Sequence, residues 1–357
     1  VPIRLIFIFL AFAVMHGFVV AQSGRVKPVE TPTPKPGERK TGIYVPTTDR
    51  PRVIIGGVPV PTPSVNEDEN VVSIDSALVP IPVSVLDNAG VPVRTLNLTD
   101  FILKIDGKPA EIGDLSRSET PIRLAMLFDN SGSVLLAREF EKRAAIKFFR
   151  SVLRPEKDLA ALFSVSTVTR LEQRFTNNIV ALTQAIEFFA PPDGATALLD
   201  GIELAADYLS EVEGRRVIVI VSDGDDTKTD TTFEAAVRAA QMRNCQVYVV
   251  KTTDFENFIR TNSRKGSANT RQLIAERRMI ELTRQTGGTV YSPIDERELD
   301  EAFRQISAEL SQQYILSYYP EDDTDKRGEF REIDVAIKGK PTLSVRTRKG
   351  YYVPKKR

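Results

Sequence analysis

Histidine and cysteine are almost missing from this chain. Its 357 residues contain one of each, His16 and Cys245. His16 lies in an apolar run near the amino end, so the rest of the chain has no histidine. That excludes Ser-His-Asp and Cys-His nucleophilic catalysis and histidine-ligated zinc. A single cysteine excludes an intramolecular disulfide. Beside the apolar run Gln246–Val250, Cys245 reads as a buried core thiol. No phosphate-binding loop ending in Gly-Lys-Ser/Thr occurs. An excess of either charge is also lacking, since 48 basic and 48 acidic residues cancel. A general attraction to nucleic acid or to an anionic membrane is therefore not indicated.

The amino end differs in kind from the rest. Arg4 precedes the apolar run Leu5–Val20, broken only by His16 and Gly17, and Val19-Val20-Ala21 offers modest side chains where a signal peptidase reads. Residues 1–21 thus have the pattern of a secretory signal peptide. The run is short against the roughly 20 apolar residues of a spanning helix. Left uncleaved, it would instead serve as a membrane anchor, and on either reading the remainder is expected to be extracytoplasmic: periplasmic, in the cell envelope or secreted. Residues 22–70 read as a proline-rich linker, with Thr31-Pro32-Thr33-Pro34-Lys35-Pro36 and Val58-Pro59-Val60-Pro61-Thr62-Pro63 favouring extended backbone.

Residues 71–119 read as a small β module. Val79, Ile81, Val83 and Val85 alternate with Pro80, Pro82 and Ser84. Asp87-Asn88-Ala89-Gly90 makes a turn, Phe101–Ile105 a second strand, and Asp106-Gly107-Lys108-Pro109 a second turn.

From residue 120 to 312, strands and helices alternate. Ile122–Phe128 is apolar apart from Arg123, as suits a parallel strand covered on both faces. Phe140, Ala144 and Phe148 recur at helical spacing. Further strands are expected at Leu159–Val165, Val217–Val221, Gln246–Val250 and Gly288–Tyr291. Helices are expected at Ile179–Phe189, Leu198–Leu209, Phe233–Met242, Leu273–Thr283 and Leu299–Leu310. This alternation predicts a Rossmann-like α/β fold, a doubly wound and mostly parallel sheet. Residues 313–357 return to β pattern and are expected to pair with 71–119, giving flanking antiparallel β segments around the α/β domain.

The first buried strand ends in Asp129-Asn130-Ser131-Gly132-Ser133. In an open parallel sheet, ligands bind outside the carboxyl ends of the strands. Three oxygen-bearing side chains leave that edge within five residues, and Gly132 is expected to ease the tight path. Thr196 enters from a loop before a helix, and Asp223 closes the most apolar strand. Two carboxylates and three hydroxyls suit one hard cation, Mg²⁺ first, with Mn²⁺ and Ca²⁺ as alternatives. The carboxylates balance the ion formally, while neutral hydroxyls and waters fill its remaining positions. Such an ion stays open to one further oxygen, for example a carboxylate.

Asp-x-Ser-x-Ser (Asp129, Ser131, Ser133), Thr196 in Gly-x-Thr-x-Leu-x-Asp, and Asp223 in Ser-Asp-Gly together resemble the metal-ion-dependent adhesion site of von Willebrand factor A (VWA) domains. The resemblance spans roughly residues 120–312. Phe101–Pro109 and Arg348–Pro354 also resemble exported VWA-related proteins known mainly from acidobacteria. The family implies a non-enzymatic binding protein, whose partner is a protein offering an Asp or Glu carboxylate to the cation. A structural envelope protein with a stabilising metal, or a metal-dependent hydrolase, are the alternatives.

Nearby acids have plainer readings. Asp200 is expected to orient the Thr196 loop, and Asp225, Asp226 and Asp230 to form a solvated loop rather than a second cation site. Thr252–Thr270 reads as a long polar loop on the metal-bearing edge, forming part of a partner-binding rim.

Overall fold

In the computed structural model, the described residues are 78–117, 120–132, 138–263, 270–320 and 327–353. The expected signal peptide and linker, residues 1–21 and 22–70, lie outside them, as does Ser133. All described residues fall in one unit, Val71–Arg357.

Four strands come first: β1 (Val79–Leu86), β2 (Phe101–Ile105), β3 (Lys108–Ala110) and β4 (Asp114–Arg117). The α/β part then runs β5 (Ile122–Asp129), α1 (Arg138–Val152), β6 (Leu159–Val165), β7 (Arg170–Thr176), α2 (Ile179–Glu187), α3 (Leu198–Ser210), β8 (Arg215–Ser222) and α4 (Phe233–Met242). It continues with β9 (Cys245–Lys251), α5 (Thr253–Thr261), α6 (Thr270–Thr286), β10 (Val290–Tyr291) and α7 (Glu296–Gln312). Four strands follow: β11 (Tyr314–Tyr318), β12 (Phe330–Ile337), β13 (Ser344–Thr347) and β14 (Gly350–Tyr352).

The central sheet has the order β10-β9-β8-β5-β6-β7. All its pairings are parallel except β6 with β7. Alternate residues of β5 show why the strand is apolar throughout. Leu124, Met126 and Phe128 join the core formed with α1, α2 and α7. Ala125 and Leu127 join the opposite core, with α3, α4 and α6. Helices on both faces exclude water from both sides, so no polar alternation survives. The chain builds outward from β5 through β6 and β7, then returns to build the other way through β8, β9 and β10. The reversal falls between β5 and β8, the place where such sheets open a crevice.

Strands from before and after the α/β part pair with each other. One sheet is β13-β1-β11-β4 and another β14-β12-β2-β3. Ile81 lies opposite Leu316, and Leu103 opposite Val335. Both sheets contribute to one core containing Ile81, Val83, Leu103, Tyr314, Leu316 and Ile333. Pro80 and Pro82 sit in the half of β1 that β13 does not reach, since that pairing begins at Val83. One side there carries no partner strand, so the missing proline N–H interrupts no ladder.

A buried polar knot anchors the passage from α7 into β11. Arg215 donates to Gln313 Oε1 at 2.7 Å, and Gln313 Nε2 donates to Ser84 Oγ at 2.8 Å and Gln246 Oε1 at 3.1 Å. Cys245 is buried and unbridged, and burial pushes its thiol up to about 12. Among the described residues no helix is long and apolar enough to cross a membrane.

Two elements depart from the sequence reading. Within Thr252–Thr270, expected to be a long loop, α5 occupies Thr253–Thr261 and seats Phe255 in the core shared with Phe128, while residues 264–269 lie outside the described residues. Strand β7, at the sheet edge, was not anticipated. Its half-exposed alternation, Arg170-Leu171-Glu172-Gln173-Arg174, reads as a polar connection.

Candidate functional site

The crevice between β5 and β8 is built from three loops stitched by backbone. Asp129 ends β5, paired on one side with β6 through Val165. On its other side lies β8, where Phe128 pairs with Val221. Asp129 and Ser131 are buried. The Ser131 amide donates to Asp129 Oδ1 at 2.9 Å, and the Ser222 hydroxyl donates to Asp129 Oδ2 at 2.5 Å. The first bond folds the strand end back on itself; the second ties β5 to β8.

The loop carrying Thr196 is fixed from both sides. Gly132 donates to the Gly194 carbonyl at 3.3 Å, and Asp193 to the Asn130 carbonyl at 3.1 Å. Arg138 of α1 donates to Asn130 Oδ1 and, at 2.7 Å, to the Ala190 carbonyl. Thr196 itself is buried. Its amide donates to Thr227 Oγ1 at 2.9 Å, and its carbonyl accepts from Thr227 and Lys228 at 2.9 and 3.0 Å. Asp223 follows β8, half-buried, with Oδ1 accepting from the Asp225 amide at 2.9 Å.

Four of the five residues singled out in the sequence, Asp129, Ser131, Thr196 and Asp223, therefore lie on one edge of the sheet, on loops that hold one another. The fifth, Ser133, is outside the described residues. Burial pushes Asp129 up to about 6, and the Asp223 charge adds to the rise against hydrogen bonds from Ser222 and Ser131. No basic side chain is among the groups acting on Asp129. Two carboxylates that repel each other in a buried crevice, with hydroxyls beside them, fit a hard divalent cation in donor type and in charge. Asp129, Ser131, Thr196 and Asp223 are the residues present to hold it.

Glycine matters in this site, but at a different position from the one expected. Among the described residues, a Cβ on Gly132 would meet only the Gly194 carbonyl, at an ordinary 3.7 Å. Gly194 has φ 76°, and a Cβ there would collide with the Thr167 hydroxyl. Gly194→Ala should therefore displace the Thr196 loop and lower stability by about 1–3 kcal/mol, read as a drop in melting temperature. Gly132→Ala, measured alongside, should change it little.

The neighbouring acids hold loops. Asp226 accepts from the Leu198 amide at 2.9 Å, which caps α3. Asp200 accepts from the Thr231 amide at 2.8 Å and orients the segment after Asp223. Asp225 pairs with Arg271 at 2.8 Å.

Three buried groups were not singled out in the sequence: Glu141 of α1, and Thr252 and Glu256 within the segment read there as a polar loop. Glu141 carried a legible sign. With Ala145, Phe148 and Phe149 it lies at positions i, i+4, i+7 and i+8 of α1, the face that enters the core.

An open doubly wound α/β domain, with two carboxylates and hydroxyls at the strand-order reversal, is a fold whose ligand site is its carboxyl edge. Residues 124–226 match the family model of the von Willebrand factor type A domain. The chain thus contains a VWA domain. Comparison with curated proteins finds no match. Among solved structures, one similar chain is an aerotolerance-related membrane protein of Bacteroides fragilis carrying multiple mutations to serine. It is 19% identical, with a TM-score of 0.41, covering 53% of this chain and 98% of that one. The PilB minor pilin from Streptococcus sanguinis is 14% identical, with a TM-score of 0.42, covering 54% and 62% respectively. The vWF domain of the type V pili tip protein Mfa5 from Porphyromonas gingivalis is 12% identical, with a TM-score of 0.41, covering 53% and 94%.

Proposed function

We propose that this chain is an exported binding protein whose VWA domain engages a protein partner through a divalent cation, Mg²⁺ in the first instance. Asp129, Ser131, Ser133, Thr196 and Asp223 hold the cation, and an Asp or Glu carboxylate of the partner completes its shell. The observation that carries this reading is the juxtaposition of buried Asp129 and half-buried Asp223 across the β5–β8 reversal, where the Asp223 charge raises Asp129. A divalent ion neutralises that pair. Its remaining ligands are neutral, so it keeps its attraction for one more anionic oxygen.

The same reading places residues 1–21 as the export signal and the domain outside the cytoplasm. It assigns no catalytic step, because no histidine follows His16 to serve as a general base beside the cation.

Capture of partners from the native cell envelope, with and without a chelator, tests the proposal. Capture should be lost with chelator and restored by Mg²⁺. Thr196→Ala removes one cation ligand and should weaken capture by about 10- to 100-fold. Capture that ignores both chelator and Thr196→Ala, while the variant only melts earlier, would make the cation a structural brace instead. Turnover of added phosphate or peptide esters that appears only with Mg²⁺ or Mn²⁺ would turn the reading towards hydrolysis.

A further inference from the structure

Three unpaired strand edges border one groove. It has a volume of about 420 Å³ and lies between α6, β10, β12 and β13. In the central sheet β10 is separated from β5 by β9 and β8. Along each bordering strand, the alternation of hydrogen bonding fixes which backbone groups face the groove.

The Thr289 carbonyl accepts from the Val249 amide at 3.0 Å, and the register sets Val290 opposite Val249. The N–H and C=O of Val290 therefore point away from β9. In β12 the Glu332 carbonyl accepts from the Asp106 amide at 3.0 Å, towards β2, while the Ile333 amide turns the other way and donates to the Lys349 carbonyl at 2.8 Å. Val335, two residues on, faces as Ile333 does, but β14 reaches only to Glu332. In β1 the Val85 carbonyl accepts from the Val93 amide at 2.8 Å, so Val85 is turned from β13, and Val345, opposite it in register, faces outward. Val290, Val335 and Val345 all line the groove. None of the three has a backbone partner on that side among the described residues.

The far ends of the same three sheets are blunted in the usual ways. β7 carries Arg170, Glu172 and Arg174 and pairs irregularly with β6. β3 is Lys108-Pro109-Ala110, and β4 carries Asp114 and Arg117. At the groove the three outward-facing residues are valines. The charged side chains around them are mostly committed. Arg284 pairs with Glu281 at 2.7 Å, Arg346 with Glu309 at 3.1 Å, and Glu276 with Lys251 at 3.3 Å. Lys349 and Asp334 remain, one of each sign. A free anion, a nucleic acid or an anionic membrane finds no excess of positive charge here. An uncharged extended chain, with backbone donors and acceptors along its edge, is complementary to the groove. Ile280, 49% exposed on α6, supplies an apolar wall beside it.

We propose that this groove takes an extended, uncharged segment of a protein partner as an added β-strand, paired to the edges that present Val290, Val335 and Val345. The contact goes beyond the cation-dependent one, needs no ion, and uses no residue of the β5–β8 crevice.

A fluorescein-labelled peptide of alternating threonine and valine, and the same peptide methylated on every amide nitrogen, test it against the intact chain by fluorescence polarisation. The first should bind, with or without chelator. The second should not, because methylation keeps the side chains and removes every donor. Val290→Pro removes the outward N–H of β10 and no bond of its ladder, and should weaken binding about tenfold or more. Hydrogen exchange of the native chain should slow at Val290, Val335 and Val345 when the peptide is added. Equal binding of the two peptides would reduce the groove to an apolar patch and overturn strand addition. Failure of the unmethylated peptide to bind would overturn it too, as would binding that chelator abolishes. Dimers of the chain that protect the same three amides without peptide would give the edges to a second copy and also overturn it. A chain that binds this peptide at the three valines but takes no divalent ion keeps this site and loses the proposed function. Should Val290→Pro fail to fold by circular dichroism, Ile280→Glu, on the exposed face of α6, carries the same comparison.

Discussion

Mg²⁺ at a hundredfold excess over its dissociation constant should raise the melting temperature of the intact chain by about 5–10 °C, and Asp223→Asn should remove most of that rise. The first figure follows from mass action. A ligand bound only by the native state stabilises it by about 2.7 kcal/mol at that excess. A domain of this size shifts by roughly 2–4 °C per kcal/mol. The second part follows from the site. Asp223 supplies half the negative charge that the cation neutralises, and asparagine keeps its shape while removing the charge. Without cation, the variant should melt no lower than the native chain and should melt higher at neutral pH. The reason is that Asp223 is among the groups that raise Asp129 through charge repulsion. Differential scanning fluorimetry of both proteins, with and without Mg²⁺, reads all four values. A native chain indifferent to Mg²⁺, or a variant that responds fully, would remove the cation from this crevice.

The cation-free chain should lose stability as pH rises from about 4 to about 8, opposite to the usual trend for paired carboxylates. Asp129 binds its proton more tightly when folded, since its value moves from 3.8 up to about 6. The stabilisation that this protonated form contributes is complete below the ordinary value. It is lost as pH climbs through about 6. Glu256 moves from 4.5 up to about 8 and extends the window upward; Glu141 shifts in the same direction. At 1.36 kcal/mol per unit, Asp129 alone accounts for about 2–3 kcal/mol. Saturating divalent cation should flatten or reverse the slope, because the cation takes the place of the protons. Urea denaturation at several pH values, with and without Mg²⁺, measures both slopes. A cation-free stability that climbs steadily from pH 5 to 8 would contradict the crowding of carboxylates at this edge.

The elements that could be read in the sequence are those whose side chains all face the same environment. Val217–Val221 is apolar on both faces because helices cover both faces. Asp129, Thr196 and Asp223 could be placed on one edge because each follows a strand or enters a helix of such a sheet. Helix α5 was harder to see. Its apolar residues are few, and only Phe255 reaches the core while Ile259 is exposed. Gly194 could not be told from Gly132 in the sequence, because the need for glycine depends on φ and on Thr167, which lies 27 residues earlier in the chain.

The alternation of buried strands and amphipathic helices, and the oxygen-bearing types at the strand ends, are legible before any folding is considered. Both are properties of local composition and spacing. It is folding that brings Ser222 to lock Asp129, and β1 to pair with β11 across more than 200 intervening residues. Those outcomes depend on which segments lie side by side. A chain of residues carries no record of that proximity until burial and pairing have fixed it.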